Sequence, residues 1–347
     1  MPLDVTGRFR YPDPDPHWLS QHTEEVLDAA MPIIDPHHHL WEEPGKRYLA
    51  ADLIDDVMSG HNVIATVFVQ CHYGYRSGGP EHLRAVGETE RIEALRQSPA
   101  AAGSHGPPIC AGIVGFADLM DTDNLDDVLD AHLAAAPEHF RGVRQSVARD
   151  SHFPNGIVLR PAPAGMLSDP RFHRNIQSLA RRGLSFDAML YHEQLPELTA
   201  LARKADEAVI VLDHVGCPIG VGPYRDRPEE TFNAWRQGIM DLAACPNVHL
   251  KFGGLGMVIL GAEYHLGAVP PTSICLANRW RPYFEVCVEA FGTQRCMFES
   301  NFPVDKAMYS YRTLWNSFKR LSLGASAAER ADLFVRTAAR VYRLDVA

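Results

Sequence analysis

Short apolar runs rich in β-branched residues recur along the chain: "PIID" at 32–35, "VIATVFV" at 63–69, "ICAGIVGF" at 109–116 and "FRGVRQSV" at 140–147. Four more follow, "LSFDAML" at 184–190, "AVIVLD" at 208–213, "NVHLKF" at 247–252 and "RCMFE" at 295–299. Between them lie stretches such as "EHLRAVGETERIEALRQ", "LDDVLDAHLAAA" and "RFHRNIQSLARR", where apolar positions return at helical spacing. Runs that are apolar at nearly every position suit strands covered on both faces, as in a parallel sheet. Eight such strands alternating with helices predict a (β/α)8 TIM barrel, and 347 residues suit one. The rival is an open doubly wound sheet, which would want a glycine-rich turn after its first strand. No GxGxxG stands there.

Residues 1–30 read as an N-terminal arm rich in Pro and Asp, with one short helical pattern at "TEEVLDAA". No linker or shift in composition divides 31–347, which is expected to form a single barrel domain. The final pattern, "AAERADLFVRTAARVYRL", predicts an extra C-terminal helix that caps the barrel or packs outside it. Two connections are long, 148–167 after the fourth strand and 253–273 after the seventh. Loops after barrel strands build the active-site face, so both are candidate lids or substrate walls, with an oligomer contact as the alternative.

The formal net charge is -10 with no basic block, which argues against a nucleic-acid partner. Seven scattered cysteines without a CxxC pair suggest reduced, packed thiols rather than a cysteine zinc site. No apolar window approaches a membrane span, and the N-terminal residues lack a signal-peptide pattern. The expectation is a soluble cytoplasmic protein without membrane contact.

The first strand ends in "IIDPHHHLW". In an extended chain His37 and His39 share a face while His38 points away. Two imidazoles so placed can chelate a metal, with nitrogens about 2 Å from the ion. Arg144 in "RGVRQ" and Lys251 in "HLKFGG" also lie near strand ends. A guanidinium suits a substrate carboxylate, and an ammonium can polarise a carbonyl or stabilise an oxyanion.

"IIDPHHHLW" resembles the D-x-H-x-H-x-W opening of the amidohydrolase superfamily, in its amidohydrolase 2 branch. The likeness continues through "FRGVRQ", "VIVLDHVGCP", "NVHLKFGGL" and "CMFESNFPVD", at four further strand ends in order. The branch holds TIM-barrel lactonases of sugar lactones and of pyrone or muconolactone carboxylates, together with metal-dependent non-oxidative decarboxylases. Position by position the resemblance makes His37 and His39 metal ligands. It makes His214 a metal- or substrate-contacting histidine and His192, just past the fifth strand, a further metal ligand. For His192 a loop histidine capping the next helix is the alternative. Trp41, Tyr191 and Arg144 are the candidate substrate-binding residues. The ion would be zinc or manganese, with a metal-free site as the other option.

The eighth strand departs from the superfamily pattern. "ESNFP" stands where "GSDWP" is usual, so Asn301 occupies the aspartate's place, and an amide is no base. Glu299 lies two residues earlier on the same face and is the candidate replacement, or else the partner of a buried Arg144 or Lys251. The catalytic set is then His214, Glu299, Asn301 and Lys251. No GxSxG elbow is present. Opening of a small lactone by activated water is the favoured reaction. Non-oxidative decarboxylation of an aromatic or unsaturated acid is the alternative, and a non-catalytic binding barrel the second. The partner is expected to be a small molecule, and the assembly a homo-oligomer, with a dimer favoured.

Overall fold

The computed structural model describes residues 7–43, 46–98, 107–158 and 160–345. Its framework is eight parallel strands: β1 (Pro32–His38), β2 (Asn62–Val69), β3 (Gly112–Gly115) and β4 (Phe140–Ser146), then β5 (Ser185–Met189), β6 (Ile210–Leu212), β7 (Val248–Phe252) and β8 (Cys296–Phe298). Each pairs with its sequence neighbours, in one sheet running from β1 to β8. A helix follows every strand: α1 (Ala50–Val57), α2 (Val86–Arg96), α3 (Leu125–Ala135), α4 (Pro170–Arg181), α5 (Leu195–Lys204), α6 (Pro228–Ala243), α7 (Ser273–Phe291) and α8 (Tyr311–Leu321). The fold is a (β/α)8 TIM barrel.

Closure does not run along β1 and β8 themselves. It is made just past β8, where the Asn301 N–H donates to the His37 carbonyl (2.9 Å) and the His39 N–H to the Phe302 carbonyl (2.8 Å). The seam of the barrel therefore passes through the histidine motif. Local chemistry sets the helix starts: Asp169 accepts from the Arg171 N–H (2.8 Å) ahead of Pro170, and Ser310 accepts from the Thr313 N–H (3.2 Å).

Two apolar layers result. Most buried side chains fill the space between strands and helices. Inside the barrel, Ile34, Val67, Val114, Val211 and Met297 meet Val341 and Tyr342 from the chain's last helical segment. That segment runs Ala327–Ala331, a π-type turn Asp332–Arg336, then Thr337–Val341. It closes one end of the barrel. No described helix is long and apolar enough to cross a membrane, and all seven cysteines are free thiols.

The helical pattern at "TEEVLDAA" does not become a helix. Its polar groups are claimed by α8 instead. The Leu27 N–H donates to Asn316 (2.9 Å), and the Lys319 ammonium donates to the carbonyls of Leu27 (2.8 Å) and Asp28 (2.9 Å). Tertiary bonds here outweigh a propensity worth only tenths of a kcal/mol per residue.

Candidate active site

The alternation of β1 separates the three histidines. His38 turns away, its Nε2 2.9 Å from the Thr66 hydroxyl, and burial pushes its imidazole down to about 3. His37 and His39 turn inward, with their Nε2 atoms 3.2 Å apart. His39 Nδ1 lies 2.8 Å from the Val69 carbonyl, which can only accept, so the proton sits on Nδ1 and the lone pair on Nε2. The Trp41 ring stacks on His39 at 6.2 Å between centroids and 12° between planes.

Glu299, the residue after β8, stands between His37 and His214. One oxygen accepts from His214 Nδ1 (2.7 Å) and from the His214 backbone N–H (3.2 Å). The other lies 2.8 Å from His37 Nδ1 but off the line of its N–H, so it gains an attraction without a formed hydrogen bond. His214 reaches this place through a left-handed backbone turn, φ 53° at His214 and 51° at Val215. The glycine pair of "KFGGL" makes the room. A Cβ on Gly253 would lie 2.3 Å from the Glu299 side chain, and one on Gly254 2.6 Å from His214 Nδ1. Burial alone would raise the Glu299 carboxyl, but His214 and His37 outweigh it and hold it at about 2. Burial would lower the His214 imidazole, yet Glu299 and Asp213 leave it raised.

Lys251 does not point free into the mouth. Its buried ammonium donates to Asp187 (2.7 Å) and Asp213 (3.1 Å) and stands 3.2 Å from His37 Nδ1. Burial favours the neutral amine, but Asp187, Asp213 and Glu299 outweigh it, so the charged form is held more firmly than in water. Asp187 also accepts from the Tyr342 hydroxyl (2.6 Å) and the Ser185 hydroxyl (2.8 Å). This network is the floor beneath the histidines.

The remaining sequence candidates are distributed differently. Arg144, 8% exposed, donates through Nη2 to the Gln70 carbonyl, and its Nε has no partner among the described residues. Tyr191 is buried in an apolar cluster over the mouth with Met189, Cys217 and Met257. His192 neighbours Tyr224, Ile219, Cys217 and Glu193, and among the described residues it has no contact with His37 or His39. Asn301 adopts φ 56°, a left-handed conformation in which Asn is enriched. Its amide donates to Asp305 (3.0 Å) rather than facing the histidines. Asp305 also accepts from the Gly256 N–H (2.9 Å) and the Tyr309 hydroxyl, and burial pushes it up to about 6.

Two proton arrangements are open to this geometry. In the first, Lys251 donates to His37 Nδ1, and His37 Nε2–H donates on to His39 Nε2. In the second, the His37 proton sits on Nδ1 beside Glu299, and both Nε2 lone pairs converge. Tetrahedral coordination at about 2.0–2.1 Å places two ligand nitrogens about 3.3 Å apart, close to the observed separation. The Val69 carbonyl and Glu299 then play the outer-shell part that fixes imidazole orientation. His37, His214 and Glu299 also offer ligand-type atoms lying within 4.8 Å of one another, all buried. The donor set fits a divalent ion.

Sequence reasoning missed Asp187 and Asp305. For Asp187 the available signal was an aspartate inside an otherwise apolar strand, "LSFDAML", which calls for a buried cation or hydroxyl donors.

The profile of the family described as Amidohydrolase (Amidohydro_2) matches residues 34–344, and the chain belongs to this family of hydrolases. An uncharacterized protein of Sinorhizobium fredii, y4mH, is 35% identical over 334 residues, covering 90% of this chain and 98% of the relative. An L-fucono-1,5-lactonase of Burkholderia multivorans is 26% identical over 322 residues, covering 90% and 96%. Crystal structures of a Burkholderia multivorans amidohydrolase superpose with TM-scores of 0.68 (bound HEPES, 26% identical) and 0.66 (bound zinc, 25% identical). Each covers 90% of this chain and 100% of the other.

Proposed function

We propose that the protein is a lactonase that opens a small sugar-acid lactone by attack of water at the barrel mouth. The observation that carries the reading is the Glu299 bridge between His37 and His214, beside the converging Nε2 atoms of His37 and His39. The lactonase relative at 26% identity supports the substrate class. The zinc-bound structure at 25% identity supports a divalent ion, with zinc the ion proposed.

Glu299 is too acidic to take a proton at neutral pH, and both of its oxygens face histidines. Its role is to hold His214 by Nδ1, so that the other ring nitrogen, Nε2, is the base. His214 takes a proton from the attacking water there and returns it to the ring oxygen as the ester C–O bond breaks. The ion's contribution, when held by His37 and His39, is Lewis acidity toward the lactone carbonyl. Arg144, with Nε unsatisfied, binds a carboxylate or hydroxyl of the substrate, and Trp41 offers an apolar face beside His39. Lys251, Asp187 and Asp213 set the height and charge of His37 from below.

The test is a panel of 1,4- and 1,5-sugar lactones assayed by acid release, on protein purified without a histidine tag and analysed for bound metal. Turnover that His214→Asn and His39→Ala remove from a folded protein is expected. Decarboxylation of aromatic acids with no lactone opening would overturn the reading.

A further inference from the structure

From Phe9 to Trp18 the N-terminal arm lies across the mouth of the barrel. The Phe9 N–H donates to the Ile157 carbonyl (2.7 Å), and its ring lies 6.5 Å from that of Phe153. Both partners belong to the long loop after β4. Two residues on, the Tyr11 hydroxyl contacts the Met257 sulfur (3.6 Å), and Trp18 Nε1 donates to the Gly267 carbonyl (2.9 Å). These belong to the long loop after β7. The arm thus joins the two longest loops of the active-site face.

Tyr11 packs against the apolar cluster that contains Tyr191 and Cys217. It also lines a cavity of about 330 Å³ shared with Trp41, whose ring stacks on His39. Its hydroxyl, on the Met257 sulfur, is turned toward the cluster over the mouth. The arm lies outside the family match, which begins at residue 34. The 26%-identical structure is covered end to end by 90% of this chain.

We infer that the arm roofs the substrate site and that Tyr11 is a specificity-determining residue whose hydroxyl contacts the lactone's polar rim. The cavity between Tyr11 and Trp41 is the vestibule through which substrate reaches His39. The inference rests on the lactonase reading. A phenol in this position reads a hydroxyl or ring oxygen on the substrate face turned away from the histidines, leaving the chemistry to groups below it.

Steady-state kinetics of the full chain, Tyr11→Phe and Tyr11→Ala decide it, using pairs of sugar lactones that differ at one hydroxyl. Tyr11→Phe is expected to raise KM for the better lactone about tenfold, change kcat less than about threefold, and shrink the discrimination within the pair. Tyr11→Ala should do the same and admit bulkier lactones. Unchanged KM and unchanged ranking in Tyr11→Phe overturn the inference while leaving the lactonase intact, and Tyr11→Phe decides alone if Tyr11→Ala fails to fold. No lactone turnover by the unsubstituted enzyme overturns the lactonase reading, and this assignment with it.

Discussion

The carboxylate of Glu299 holds His214 through one oxygen and faces His37 through the other, at 2.7 and 2.8 Å. One side chain thereby positions both rings to which the lactonase proposal gives the roles of base and metal ligand. Glu299→Gln keeps the shape and removes the charge that raises His214. With that charge gone, burial dominates, so the acid limb of kcat/KM should move to lower pH in Glu299→Gln. Metal affinity should fall about 10–100-fold, as for other outer-shell partners, read by metal content after dialysis. A limb that stays in place would remove His214 as the base.

Lys251 is the only cation among the described residues that hydrogen-bonds both Asp187 and Asp213. Lys251→Met leaves two buried carboxylates without the cation that bonds both. A loss of about 3–5 kcal/mol in urea denaturation is expected, against the fraction of a kcal/mol typical of a surface pair. Asp187→Asn with Lys251→Met should recover part of it.

Asn301→Asp restores the superfamily's residue but places a carboxylate about 3 Å from Asp305. Two such acids share one proton, so the folded-state pKa of the pair rises above that of the unfolded chain. Stability is then retained at low pH and lost as pH rises. The variant should match the parent near pH 5 and fall below it by about 2 kcal/mol at pH 8, measured by denaturation at both values.

Burial holds several histidines neutral: His38 at about 3, His61, His132, His192 and His249 at about 4, with His37 and His39 also pushed down. Each is depressed below its unfolded value, so its stabilisation is complete above about pH 6.5 and fades as pH falls toward 4. Against them stand Asp35 and Asp305 at about 6 and Glu88 at about 7, whose sign is opposite. The histidines outnumber them, and the protein should lose stability between pH 6.5 and 4. His132, stacked on Phe140 and bonded to Thr89 and Phe116, packs in the layer between β3 and helices α2 and α3. His132→Gln should remove about 3 kcal/mol of that pH dependence without moving activity.

The strands were legible because each is covered on both faces: "VIATVFV" at 63–69 and Asn62–Val69 differ by one residue. The histidine pair was legible because side chains alternate along β1 whatever surrounds it. Partnerships across the barrel were not. Glu299 could be placed on the inner face, but choosing His37 and His214 over Arg144 or Lys251 as its neighbours needs the heights of four strands. Lys251 looked like a free electrophile because its two aspartates come from β5 and the turn after β6. The arm's path was hidden for a similar reason, since "RFRYPDPDP" carries no period and its partners lie far along the chain.

Tyr342 reaches through the closed end of the barrel to bond Asp187, which in turn holds Lys251. The polar floor of the site is therefore finished from the side opposite the mouth, by a residue 155 positions along the chain from the aspartate it bonds. A chain carrying Tyr342→Phe would have every histidine in place and still hold a buried aspartate short of one donor. The two ends of the barrel are thus one electrostatic unit, and a fault at the plugged end is felt at the ammonium under His37.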